Sequence, residues 1–279
     1  MTFKRSMSML CALLMMLSAC MPVAEADEKP YLDVLLIGVD TRGEKQDGRS
    51  DTMMLMRIDR ESGSVRLVSF LRDLYVSVPG HGKTRLNAAY FYGGEKLLKE
   101  TLEKNFGITV DRTASVHFST LSELVDEMDG VEIDVTDKEL PWLNRLLQDF
   151  SMPPLETAGK QRLSGVEALC YSRIRKPDSD FQRTSRQQAV IAAMLERLKE
   201  KSKWDLLRMA VRHMKKVETD LTFGDVVSLV PLIAKMDRAE IQTARMPCEG
   251  AFTEETVNGM MVLVPDLKRC RNALQDFLN

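Results

Sequence analysis

Residues Leu32–Val39 read as a continuous apolar run rich in Leu, Val and Ile. Such a run marks a strand covered on both faces, because a strand with one wet face alternates in polarity. It demands a layer above and a layer below. Thr52–Asp59 and Ser64–Phe70 follow as strands joined by the turn Arg60-Glu61-Ser62-Gly63, and Tyr75–Val78 is a short strand stopped by Pro79-Gly80. Arg85–Tyr92 and Glu95–Phe106 read as helices, the second with Leu98, Leu102 and Phe106 on one face. Ile108–Phe118 is a predicted strand, and Thr120-x-x-Glu123 resembles a capping box opening a helix with Leu121, Leu124, Val125 and Met128 at helical spacing. Val131–Val135 returns as a strand, and residues 137–160, with Pro141, Pro153 and Pro154, read as irregular. Helices are predicted over Ser164–Ile174, Arg183–Lys199, Asp205–Lys215 and Thr222–Lys235. Strands near Ala239–Met246 and Met260–Val264 and a terminal helix complete the chain.

Strands alternating with helices predict an α/β fold, a single-domain α-β-α sandwich around a mixed central sheet. Charged residues are 29% of the 279 and hydrophobic ones 44%, a globular balance. With 39 Lys+Arg against 41 Asp+Glu the formal charge is −2, so no broad basic surface points to nucleic acid.

The amino terminus reads as an export signal. Lys4 and Arg5 precede the uncharged run Met7–Ala19, which is short for a membrane span. Residues 1–19 are a predicted signal peptide of lipoprotein type, because small residues precede Cys20, the candidate lipidation site. Residues 20–30 would tether the domain at 31–279. An A-x-A cleavage site at Ala24-Glu25-Ala26, or an uncleaved signal anchor over Ser6–Ala24, are the alternatives. Each places the domain outside the cytoplasm. Export permits disulfides, and Cys248 with Cys270 is the plausible pair; three unpaired buried cysteines remain the other reading.

The chemistry-bearing residues gather at predicted strand ends and at one helix junction. Asp40 and Arg42 follow the first strand, Arg49 and Asp51 precede the second, and Arg72-Asp73 follows Ser69 at the end of the third. Ligand sites in open α/β sheets lie beyond carboxyl ends of strands. Two carboxylates sharing a hard cation would explain Asp40 and Asp51, since Mg²⁺ takes oxygen ligands and bridges to phosphate. Ordinary surface ion pairs would explain the same residues. The segment from Tyr171 to Gln188 concentrates Arg173, Arg175, Lys176, Arg183 and Arg186. Guanidinium forks match phosphate oxygens, and a helix amino terminus favours anions.

Taken in order, Gly38-x-Asp40-x-Arg42, Arg49-Ser50-Asp51-Thr52, Ser69-x-x-Arg72-Asp73, Leu86-Asn87-Ala88-Ala89-Tyr90, Asp129-Gly130-Val131 and Arg173-x-Arg175-x-x-Asp178-x-Asp180-Phe181-x-Arg183-x-x-Arg186-Gln187-Gln188 resemble the LytR-CpsA-Psr family of bacterial cell-envelope proteins. The resemblance runs from about residue 31 to 200. It implies an extracytoplasmic phosphotransferase that moves an anionic glycopolymer (teichoic acid, capsule or similar) from undecaprenyl pyrophosphate to a peptidoglycan hydroxyl. It also implies an apolar tunnel for the prenyl chain, which Val190, Met194 and Leu198 would line unless they are ordinary core. By motif, Asp40 and Asp51 would hold Mg²⁺, and Arg42, Arg49, Arg72, Arg173, Arg175, Arg183, Arg186 and Gln187 the pyrophosphate. Arg72, Asp73 and Asp40 are the candidate catalytic residues. Leu71 stands where members of the family often carry proline. A lipid-binding envelope lipoprotein without catalysis, and a prenyl-pyrophosphate hydrolase, are the competing readings of the same arginines.

Overall fold

The computed structural model describes residues 29–39, 50–175, 180–233, 235 and 241–279. Cys20, Asp40, Arg42, Arg49 and the predicted signal peptide lie outside the described residues. The first part of the chain forms β1 (Tyr31–Val39), β2 (Ser50–Asp59), β3 (Val65–Phe70), β4 (Tyr75–Val78), β5 (Gly82–Arg85), α1 (Asn87–Phe106), β6 (Arg112–His117) and α2 (Phe118–Glu127). Then come β7 (Val131–Val135), α3 (Leu140–Gln148), β8 (Gly159–Leu163), α4 (Gly165–Arg173), α5 (Asp180–Lys199) and α6 (Lys203–His213). The chain closes with β9 (Glu218–Thr219), α7 (Phe223–Ile233), β10 (Ile241–Met246), β11 (Phe252–Val257), β12 (Met260–Pro265) and α8 (Leu267–Leu278).

Six strands make the main sheet, in the order β10-β3-β2-β1-β6-β9. β1 runs parallel to β6 and β10 parallel to β3, whereas β2 is antiparallel to β3 and β6 to β9, so the sheet is mixed. Three two-stranded antiparallel ribbons, β4–β5, β7–β8 and β11–β12, stand apart from it. The period of two along β2 explains the layering. Met53 and Leu55 join Leu98, Leu102 and Phe106 of α1 and Leu274 and Leu278 of α8 in one core. Met54 joins Leu232 of α7, with Ile191 and Leu195 of α5 packed against them, in another on the opposite face. A separate core forms under α3, α4 and the β7–β8 ribbon, around Leu143, Leu147, Leu163 and Tyr171. Leu32–Asn279 forms one compact unit.

The apolar run of β1 contains one charge, Asp33, and its burial is complete. Arg57 of β2 meets it bidentately, Nε to Oδ1 at 2.8 Å and Nη2 to Oδ2 at 2.7 Å, and donates Nη1 to the carbonyl of Leu278 at 3.1 Å. The strand is still covered on both faces, because the charge is neutralised and hydrogen-bonded where it lies.

One expectation holds: the two helices read between residues 85 and 106 form as the two arms of α1, parted by Gly93 and Gly94, whose backbone is not helical, Gly94 with φ +61°. Several other local expectations change. Thr120 does not cap α2; the helix starts at Phe118 with His117 at its cap, because β6 runs into it without a connecting turn. The stretch 137–160 is not irregular: it holds α3 and the start of β8. Pro141 sits in the first turn of α3, where its missing N–H is not needed, and Leu143 and Leu147 anchor the helix in its core. Ser164 does open α4 with a capping box, its N–H donating to Glu167 Oε2 at 2.7 Å. Cys248 and Cys270 are free thiols rather than a bridge; Cys270 Sγ donates to the carbonyl of Ala251 at 3.7 Å, and burial pushes the Cys270 thiol up to about 11. Among the described residues no helix is long and apolar enough to cross a membrane.

Candidate functional site

The parallel register of β1 with β6 puts Val39 beside His117, and that of β10 with β3 puts Met246 beside Phe70. β2 enters this same edge, because it is antiparallel to β3 and because a Cβ on Gly38 would lie 2.9 Å from the Cβ of Thr52. The edge therefore gathers the ends of β1, β3, β6 and β10 with the start of β2. This is the side on which open α/β sheets place their ligands. Asp51 at the start of β2 and Arg72-Asp73 after β3 meet here. The end of α4 brings Arg173 and Arg175, and the first turns of α5 bring Asp180, Arg183 and Gln187.

Arg72 is the hub. Its Nη1 donates to Asp51 Oδ1 at 2.8 Å, and its Nε lies 3.5 Å from both Asp73 and Asp180. Burial works against its charge, but Asp180, Asp51 and Asp73 together hold its pKa above the ordinary arginine value. Arg183 donates Nη2 to Asp180 at 2.9 Å, and its side chain is only 5% exposed. Its Nε and Nη1 have no hydrogen-bond partner, although both are buried. Burial, reinforced by the Arg72 and Arg175 charges, holds its pKa below the usual value. A buried guanidinium with two donors unsatisfied is costly, and an anion with several oxygens would relieve it. Arg175 reaches to 4.0 Å from Asp51 and remains half exposed, free to swing onto a ligand.

Asp51, Arg173, Arg175, Arg183 and Gln187 line a cleft of about 300 Å³, and Arg72 reaches its edge through Asp51. Next to the cleft lies an apolar cavity of about 240 Å³ between the sheet, α2 and α5. Leu36, Met54 and Met56 form its sheet wall, Leu121 and Leu124 its α2 wall, and Val190, Met194 and Leu198 its α5 wall. All three of these α5 residues line the cavity, and Val190 belongs as well to the core under α3 and α4. Phe118, Ser172, Arg173 and Gln187 belong to both spaces, so cleft and cavity open into each other. The Arg173 guanidinium sits 5.3 Å from the Phe118 ring at that junction.

Arg186 departs from expectation. It is 4% exposed and turned away from the cleft, with Nε on Glu139 at 2.7 Å and Nη1 on the carbonyl of Ile174 at 3.0 Å. The reason is helical phase: Gln187 lies one turn beyond Arg183 and shares its face, while Arg186 points toward the core under α3 and α4. Sequence reading also missed partners. Arg85 holds Asp73 at 3.3 Å, and Asp180 joins Arg72 to Arg183. Asp180 stood within the arginine-rich motif and was legible there; Phe118 carried no signal, because nothing in the sequence says that it faces a cavity.

Asp51 lines the cleft and offers a carboxylate to a hard cation. This donor chemistry suits Mg²⁺, which needs few protein ligands and keeps its own waters. Among the described residues no larger group of His, Cys, Asp or Glu is placed to hold a metal.

An arginine-lined cleft opening into an apolar cavity defines a receptor for an anion joined to a long apolar tail. The LytR_cpsA_psr family model matches residues 18–276, and the chain belongs to that family. It is 32% identical over 217 residues to the polyisoprenyl-teichoic acid–peptidoglycan teichoic acid transferase TagT of Bacillus subtilis, covering 76% of this chain and 67% of that one. It is 32% identical over 262 residues to the transferase TagU of Enterococcus faecalis, covering 91% and 82%. Among solved structures, TagT bound to LIIa-WTA superposes with a TM-score of 0.74 at 27% identity, over 90% of this chain and 91% of that one. TagT with bound octaprenyl pyrophosphate lipid superposes with a TM-score of 0.69 at 25% identity, again over 90% and 91%.

Proposed function

We propose that this chain is an extracytoplasmic phosphotransferase that moves an anionic glycopolymer from a polyprenyl-pyrophosphate carrier to a hydroxyl of peptidoglycan. The observation that carries the reading is the merging of the apolar cavity with the arginine cleft at Phe118, Ser172, Arg173 and Gln187. The first space takes the part of a prenyl tail next to the headgroup, and the second takes a pyrophosphate. The names of its relatives, which are teichoic acid transferases, support the same class of substrate.

In the reaction the acceptor oxygen forms a bond to the phosphorus that carries the glycan. The bridging P–O bond breaks, and prenyl monophosphate leaves with the electron pair. Phosphoryl transfer asks the protein chiefly for positioning and charge stabilisation. Arg183 turns its two unpaired donors to the phosphate oxygens, Arg72 and Arg175 leave Asp51 partly for the same anion, and the amino terminus of α5 adds its dipole. Asp73, held by Arg72 and Arg85, takes the proton of the acceptor hydroxyl. Asp51, with Asp40, would hold Mg²⁺, which supplies further charge neutralisation on the pyrophosphate. A lipid-modified Cys20 or a retained signal anchor would keep the domain on the outer face of the cytoplasmic membrane, beside its substrate.

The test is glycopolymer transfer to peptidoglycan by the purified protein, with and without Mg²⁺. Arg72→Ala and Arg183→Ala should each lower turnover roughly a hundredfold to a thousandfold, the cost of removing a donor aimed at transition-state charge. Unchanged transfer in both variants would sink the assignment. Phosphate release without acceptor product would mark a hydrolase. Tight lipid binding with no product from any acceptor would mark a carrier-binding protein.

A further inference from the structure

A second surface, remote from the arginine cleft, has its own chemistry. Residues 199–216 carry seven positive side chains and two negative ones, a local +5 in a chain whose total is −2. They span the end of α5 and the whole of α6. Within α6, Leu206, Met209 and His213 face inward and are buried. Trp204, Arg208, Val211 and, just beyond the helix, Lys215 repeat at helical spacing on the outside, with Trp204 74% exposed and Val211 56% exposed. Lys203 and Lys215 are exposed and make no ion pair among the described residues. α7 packs against α6 and turns outward a stripe with no charge: Phe223, Val227 and Pro231, all exposed.

An exposed tryptophan and an apolar stripe, set among cations, match an interface where acyl chains lie below anionic headgroups. A protein partner of ordinary surface chemistry would have no need of that pairing. α6 is also fixed rather than loosely hung. Arg212 donates to Glu127 at 2.8 Å, His213 lies 2.6 Å from the same carboxylate, and Lys216 pairs with Glu123, so α6 is clamped to α2. α2 is a wall of the apolar cavity, and α5, whose Leu198 lines that cavity, is joined to α6 by the three residues 200–202. Arg183 and Leu198 are roughly 22 Å apart along α5, at 1.5 Å per residue. The surface therefore lies beside the cavity end that is remote from the arginines.

We propose that α6 and α7 form a membrane-docking face that seats on an anionic lipid bilayer through Trp204, Phe223 and the surrounding lysines and arginines. The docking does not depend on the transferase reading. Where that reading holds, a prenyl tail leaving the far end of the cavity would pass directly into the bilayer beneath.

Because Leu32–Asn279 is one compact unit holding the sheet and its cores, a protein beginning at Lys29 tests the face without the amino-terminal apolar segment. It is mixed with vesicles of phosphatidylcholine alone, or of phosphatidylcholine and phosphatidylglycerol in equal parts, and floated. Binding should require phosphatidylglycerol and weaken with salt. In a Trp142→Phe background, Trp204 emission should shift to the blue on binding. Lys203→Glu/Lys215→Glu should weaken binding roughly tenfold or more, and Trp204→Ala should also weaken it, with unchanged thermal unfolding showing that both proteins are folded. Three results would overturn the proposal: no flotation with either vesicle, variants that float like the parent, or a dimer in sedimentation that Trp204→Ala dissociates, which would make the face a contact between two copies.

Discussion

Arg183 is buried with two donors idle, an arrangement that stability alone would not retain. Replacing a buried charge by an apolar side chain of similar size is often neutral or stabilising. Arg183→Met should therefore keep or raise the unfolding temperature while removing most of the transfer activity, measured by calorimetry and turnover on one preparation. Arg186 predicts the reverse. It completes a buried pair with Glu139, so Arg186→Ala should cost about 3 kcal/mol or more in denaturant unfolding, while the folded fraction retains its turnover. Burial opposes the charge of Glu139, but Arg186 and Thr136 outweigh it and hold its pKa below the ordinary glutamate value. A carboxylate depressed in the folded state contributes stability above its unfolded pKa and loses it as pH falls through the folded one. Unfolding measured from neutral pH down to acid should show a smaller loss in Glu139→Gln than in the parent, from a lower starting stability. Both arginines stand in one sequence motif. Their types were legible there, and their opposite fates were not, since those depend on what packs around each face of α5.

Along α5 the sequence shows an apolar stripe at Val190, Met194 and Leu198. A stripe of that spacing reads the same whether it meets side chains or an open cavity. α2 and the sheet decide, by standing far enough away to leave the space between them. Met194→Trp should fill that space: binding of a long prenyl pyrophosphate should fall, while a short-chain analogue that uses only the arginine cleft should bind as before, measured by titration calorimetry. In α1 the pair Gly93-Gly94 parts two helical arms, and Leu98, Leu102 and Phe106 of the second arm bury in the same core as the sheet. The missed strands β8 and β11 are held by ribbon pairing rather than by an apolar pattern of their own, for β11 is mostly exposed.

At the scale of the molecule, Asp33, Arg57 and the carbonyl of Leu278 tie the first strand, the second strand and the last helix together. Asp33→Asn should cost about 3–5 kcal/mol, because it removes the buried negative charge that Arg57 meets bidentately. Unfolding by denaturant should show that loss in one transition shared by the sheet and α8, read by circular dichroism and by amide exchange in α8. The layered α/β plan was legible in the sequence because hydrophobic period is local: two along strands and 3.6 along helices. So were the residue types of the site, since Asp51 opens β2, Arg72 and Asp73 follow β3, Arg173 and Arg175 close α4, and Arg183 and Gln187 stand in the first turns of α5. What only the tertiary structure decided was contact between distant segments. It placed Asp180 between Arg72 and Arg183, turned Arg186 onto Glu139, opened the cavity beside Phe118 and set a basic face on α6 against α2. Each of these depends on which surfaces meet in three dimensions, and chain order alone does not specify that.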